Sequence, residues 1–235
     1  SDRLEKTFTS VNFNMMIMVI YALITIAIFS MWYYARYEGN FLPSPKKTFN
    51  PMMLAAIVIL VPGTQFAANF IANLTGYIRP DWLQQYNELF ETSGITDTTF
   101  VTVLYSVILA PICEELIFRG VTMRCARKAL PFALANLMQA ALFGLFHLNW
   151  IQGIYAFALG IVLGYVCERG GSIYYSIGLH LLFNLWGTLS GFFPDPGNSV
   201  VVSVIVIAVT IVSLTAGFVL FNKGRRKLPI NSTGI

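Results

Sequence analysis

The chain has 235 residues, 56% of them hydrophobic and only 11% charged, with a mean hydropathy of +0.67; a water-soluble domain of this size carries roughly 25% charged residues. So few charges cannot clothe a surface in water, which excludes a soluble enzyme. The net charge of +4, from 15 Lys and Arg against 11 Asp and Glu, is too small and scattered for a groove that tracks nucleic-acid phosphates, and the composition is that of an all-α, polytopic membrane helical bundle.

Crossing a bilayer takes about 20 mostly apolar residues in a helix. Such runs lie at about 11–35, 52–76, 100–123, 132–148, 152–168, 172–190 and 199–221, so about seven transmembrane helices are expected. The chain begins at Ser1, which leaves removal of an N-terminal segment open, and the first run is too long for a signal-peptide core. A loop rich in Pro and Lys, Gly39 to Pro51, follows it. The acidic segment 77–99, with Asp81, Glu88, Glu91 and Asp97, follows the second run. Within it Trp82, Leu83, Tyr86 and Phe90 recur at helical spacing, as in a short helix on the membrane surface or, alternatively, a lid over a site. Gly160 and Gly164 form a G-x-x-x-G pair that suits packing inside the bundle better than a dimer seam, so a monomer is expected. Gly191 to Gly197 is a turn region before the last span. No internal repeat is found, which weakens an inverted-repeat transporter reading. Cys113, Cys125 and Cys167 are odd in number and show no paired spacing; they read as buried structural thiols.

Lys and Arg placement sets the expected topology. One face collects Arg36, Lys46, Lys47, Arg124, Arg127, Lys128, Arg169, Lys223, Arg225, Arg226 and Lys227, and the other only Arg3, Lys6 and Arg79. The first face is expected to be cytoplasmic, with the N-terminus outside and the C-terminus inside.

The informative residues are the ionisable ones at membrane depth. Glu114, Glu115 and Arg119 lie in the third run, and the chain's 2 histidines, His147 and His180, lie in the fourth and sixth. A charge at the centre of a spanning helix costs ~2.5–3.5 kcal/mol on the lenient insertion scale, so such groups face a protein interior or a watery cavity and mark a functional site by default. Glu115 and Arg119 are four residues apart, share a helix face, and are expected to pair as a brace. Glu114 is turned by about 100° from Glu115 and cannot face Arg119 as well, so it is free for another role on the side of Phe118. Phe143 and His147 repeat the four-residue spacing, as do His180 and Asn184. Asn184 adds a neutral donor suited to developing negative charge.

At these positions the sequence resembles the CPBP family of intramembrane proteases, the CAAX prenyl endopeptidase and bacteriocin-processing (Abi) group. Glu114-Glu115-Leu116-Ile117-Phe118-Arg119 fits E-E-x-x-x-R, with Ala110-Pro111 before it and Gly120 after it. Phe143 to His147 fits F-x-x-x-H, and His180 to Asn184 fits H-x-x-x-N. The resemblance covers about residues 100–190 and divides the chain into N-terminal spans and an outer loop (1–99), a catalytic core (100–190), and a last span with a basic tail (191–235). It implies an endopeptidase acting within or beside the membrane.

On that reading Glu114 is the general base, His147 holds and polarises the attacking water, and His180 with Asn184 stabilises the oxyanion. Glu115 and Arg119 support the helix. Phe118, Phe143 and Phe146 are expected to line the substrate cavity. No cofactor is favoured. A zinc version is open as well, because Glu114, His147 and His180 form a one-carboxylate, two-imidazole ligand set, although H-E-x-x-H is absent. At ~1.5 Å rise per residue, Glu114 lies ~15 Å from Arg124, and His147 ~24 Å from Pro131. The groups meet only if residues 124–136 run partly along the cytoplasmic surface or the fourth helix tilts strongly. A transport or proton-relay protein and a non-catalytic peptide-binding scaffold are the competing readings. The expected partners are membrane lipids and a hydrophobic or lipidated peptide or protein substrate. The short chain points to a prokaryotic plasma membrane.

Overall fold

A computed structural model describes residues 11–36, 49–93, 99–190 and 199–225. Most of the Gly39–Pro51 loop, the 191–197 turn, Arg3, Lys6, Asp97, Arg226, Lys227 and the side chains of Arg36 and Phe90 lie outside the described residues.

Among those described, every regular element is helical. Seven apolar helices follow the seven expected runs: α1 (Val11–Arg36), α2 (Pro51–Ile78), α4 (Phe100–Ala126), α5 (Phe132–Phe146), α6 (Trp150–Gly170), α7 (Ile173–Ser190) and α8 (Val200–Arg225). The short α3 (Pro80–Ser93) stands between α2 and α4. Helices α1, α2, α4, α6 and α8 are long and apolar enough to cross a membrane, which makes this a multi-pass membrane protein. Helix α5 is shorter, at 15 residues. Helix α7 gives up hydropathy to His180 and Asn184.

Helix starts and stops follow local chemistry. The Asn50 side chain caps α2 by accepting from the Met52 N–H at 2.9 Å, with Pro51 in the first helical position, where a missing N–H costs nothing. Asn50 Nδ2 also donates to the Gly224 carbonyl at 3.1 Å, and its N–H to the Tyr175 hydroxyl at 2.9 Å, which ties α2, α7 and α8 together at one end. At the other end Arg79 pairs with Asp81 at 2.6 Å; the guanidinium holds the Asp81 carboxyl below the ordinary carboxylate range. Trp82 of α3 stacks on Trp150 of α6 with ring centroids 5.3 Å apart.

Helix α2 is central and contains Pro62, which removes one backbone donor and disturbs the turn before it. Ser213 of α8 reaches into this break. Its Oγ accepts from the Gly63 N–H at 2.8 Å and donates to the Ile59 carbonyl, so the hydroxyl completes a helix bond that the backbone no longer closes. A Cβ at Gly63 would stand 2.7 Å from that Oγ. We expect Ser213→Ala to destabilise the protein by about 1–3 kcal/mol, the cost of orphaning buried polar groups, measured by denaturant titration in detergent micelles. An unshifted midpoint would contradict this role.

Gly160 and Gly164 pack α6 inside the bundle, as expected. A Cβ on Gly160 would meet Ala140 at 3.1 Å, and one on Gly164 would collide with the Asn136 side chain. The core gathers Leu60, Phe143, Leu163, Tyr175, Leu179 and Phe221, all essentially inaccessible.

Candidate active site

Helix α4 is not a regular α-helix. Leu104–Leu109 and Leu116–Met123 are wound as π-helix, with an α-helical segment, Ala110–Glu115, between them. Wide turns of this kind occur mostly at functional sites, and here they flank the two carboxylates. The Asn184 Nδ2 of α7 donates to the Ser106 carbonyl at 2.8 Å, inside the first wide stretch.

Glu115 and Arg119 pair as the spacing predicts, with Nη1 to Oε1 at 2.9 Å and both side chains wholly buried. Arg119 Nη2 continues to the Gly160 carbonyl at 3.3 Å, and its guanidinium lies 4.5 Å from the Phe143 ring centroid. Gln139 donates to the same Gly160 carbonyl at 2.9 Å, which fastens α4, α5 and α6 at one level. Sequence reasoning missed Gln139, and it missed a second bond of Glu115: the same Oε1 lies 2.9 Å from His180 Nδ1. Glu115 is thus both a brace for its helix and the group that fixes the ring of His180.

His180 stands between the neighbouring carboxylates. Its Nε2 is 3.6 Å from Glu114 Oε2. The 100° turn between successive residues sends Glu115 toward Arg119 and leaves Glu114 on the wall of a cavity of about 860 Å³. The Glu114 side chain is 16% exposed, whereas Glu115 is fully buried. His147 and Asn184 line the same cavity.

His147 follows the last residue of α5, and its Nδ1 lies 2.8 Å from the Phe143 carbonyl. That acceptor assigns the proton to Nδ1 in the neutral ring and leaves Nε2 with its lone pair. The chain then reverses through Leu148, a non-glycine residue at φ 53°, into the Asn149 cap of α6. Glu114 and His147 reach one cavity, and residues 124–131 connect α4 to α5. They comprise the last turn of α4 and a short connection held by Arg127 to Glu168 at 3.1 Å. Helix α5 then starts with the Phe132 ring 5.8 Å from the Arg169 guanidinium.

The cavity runs from Glu114 and His180 at mid-helix to Thr102, Gln152 and Ser190 at the helix ends, where Tyr86 and Leu89 of α3 form part of its wall. Helix α3 thus contributes Tyr86 and Leu89 to the cavity wall. Of the three aromatic residues expected to line the cavity, Phe143 does. Phe118 is buried against Phe143 and Phe146, at ring distances of 5.2 and 5.6 Å, away from the wall. Phe146 lies off the wall too, and 47% of it is exposed. Cys113 and Cys167 are buried as expected, but Cys125 is exposed.

No group of three or more His, Cys, Asp or Glu side chains among the described residues is arranged to hold a metal ion. Glu114, His147 and His180 share a wall without forming a ligand cluster, and the chemistry below takes no step through zinc.

No curated protein and no solved structure matches the chain. Residues 96–186, which contain α4 to α6, most of α7 and all three motifs, match the profile of the family described as Type II CAAX prenyl endopeptidase Rce1-like, the group those motifs resemble.

Proposed function

We propose that the protein is an intramembrane endopeptidase that hydrolyses a peptide bond of a hydrophobic or lipidated peptide by carboxylate-activated water. The observation that carries this reading is the placement of Glu114 and His180, 3.6 Å apart, on the wall of a cavity that His147 and Asn184 also line. Glu114 takes a proton from water as the oxygen attacks the scissile carbonyl carbon, and returns it to the departing amine. His147 accepts the water's second hydrogen at Nε2. His180 is held by Glu115 at Nδ1 and presents Nε2 to the oxyanion. Asn184 spends one N–H on Ser106 and turns the other toward the same charge. A prenylated C-terminal tail is the substrate class named by the matching family. The test compares peptides released from membranes holding the wild type with those holding Glu114→Gln; a substrate is a peptide cut only by the former, and an identical set from both refutes the assignment.

We infer also that the cavity opens on the extracytoplasmic side. Its mouth lies at the α3 end, where Arg79 is paired with Asp81. The opposite helix ends carry Arg124, Arg127, Lys128, Arg169, Lys223 and Arg225, the excess that marks a cytoplasmic face. A membrane-impermeant maleimide applied to intact cells is expected to label Ser190→Cys and spare Lys128→Cys, both in a Cys125→Ala background. The reverse pattern would put the mouth in the cytoplasm, where a cytosolic prenylated tail is presented.

A further inference from the structure

A peptide drawn into an apolar cavity brings backbone N–H and C=O groups that must find partners there. Five buried side-chain atoms among the described residues lack one: Gln65 Oε1, Glu115 Oε2, Arg119 Nε, Gln139 Oε1 and Arg169 Nε. Of these, only the Gln65 atom belongs to a residue of the cavity wall. Gln65 lies on α2 just beyond Pro62 and is 7% exposed. Its Nε2 faces Asn69 Oδ1 at 3.4 Å, so the amide has a partner on one side and an open acceptor on the other. Asn69, one turn further on, lines the same wall. The Gln65 amide faces Gly187 of α7, where a Cβ would stand 3.9 Å from Nε2. Gly187 is three residues beyond Asn184, so the Gln65 amide sits about one helical turn from Asn184. An unmet buried acceptor is destabilising unless a ligand or water meets it.

We propose that Gln65, steadied by Asn69, is a docking subsite for the peptide main chain: its Oε1 accepts an N–H from an extended substrate beside Asn184 and so sets which carbonyl lies over Glu114. This rests on the endopeptidase reading. It makes Gln65 a positioning residue, outside all three motifs.

The experiment uses the full chain in detergent micelles with an internally quenched apolar peptide and its S-farnesylated counterpart. Gln65→Leu is expected to raise KM about tenfold with kcat within about twofold, the loss of one neutral hydrogen bond. Gln65→Glu, which keeps an acceptor oxygen, is expected to restore KM. A set of peptides N-methylated at single backbone positions should contain one whose penalty seen with wild type disappears in Gln65→Leu. An unchanged KM in Gln65→Leu, or an equal loss in Gln65→Glu, overturns the proposal. The affinities are also read by fluorescence anisotropy of dye-labelled copies in a Glu114→Gln background. If the peptides bind but cleavage proves independent of Glu114, the protease reading fails, and the docking subsite stands only if Gln65→Leu still weakens binding about tenfold. Absence of binding by both peptides overturns the docking subsite.

Discussion

Glu114→Gln is expected to slow peptide hydrolysis by about 10²–10⁴-fold, the range contributed by a positioned general base, while stability stays within about 0.5 kcal/mol of wild type. The two halves of this expectation have separate physical grounds. The amide has nearly the shape of the carboxyl group but cannot take a proton from water, so the chemical step loses its base. The side chain is partly open to the cavity, and His180 Nε2, at 3.6 Å, is beyond ordinary hydrogen-bond distance, so the fold loses little. Single-turnover cleavage and thermal unfolding, measured on the same preparation, read the two separately. A variant that cleaves within tenfold of wild type removes Glu114 from the mechanism.

Glu115→Leu is expected to do the opposite and damage the fold, by about 3–5 kcal/mol, because a buried pair loses one member and strands the other. The guanidinium of Arg119 would keep only the Gly160 carbonyl as a hydrogen-bond acceptor, and His180 would lose the acceptor that orients it. Arg119→Met should cost a similar amount. The double variant Glu115→Leu/Arg119→Met should recover much of the loss, since it removes both charges. Unfolding midpoints in detergent test this. If the double variant is as unstable as the sum of the single ones, the pair is not the reason for the cost. Recovered stability is not expected to bring back activity, because His180 remains untethered.

The helices were legible because a spanning segment advertises itself by length and apolarity, and charge placed their ends. The Glu115–Arg119 pair was legible because four residues bring two side chains onto one face. The tether from Glu115 to His180 was not, since it joins residues 65 apart in sequence through helix packing that leaves no periodicity to read. The π-helical stretches escaped for a related reason: apolar residues suit wide and regular turns alike. Phe118 and Phe146 were expected to line the cavity as aromatic residues within the motifs, but neighbours on a helix point different ways. Gln65 is one of three amides on α2, with Asn69 and Asn73; only the cavity beside it gives it meaning.

Ser213 binds α2 beside Pro62, between an inner and an outer length of one continuous helix. The inner length is anchored by Asn50 to α7 and α8. The outer length carries Gln65 and Asn69 and leads into α3, which contributes to the cavity wall. No residue of α8 lines the cavity among those described, yet α8 supplies the hydroxyl that binds α2 beside Pro62. Substitutions on α8 are therefore expected to act on the α2 wall of the cavity, whereas Glu114, His147 and His180 are carried on other helices. On the proposed function, substrate preference is then expected to be adjustable from α8, which lines no part of the cavity among the described residues.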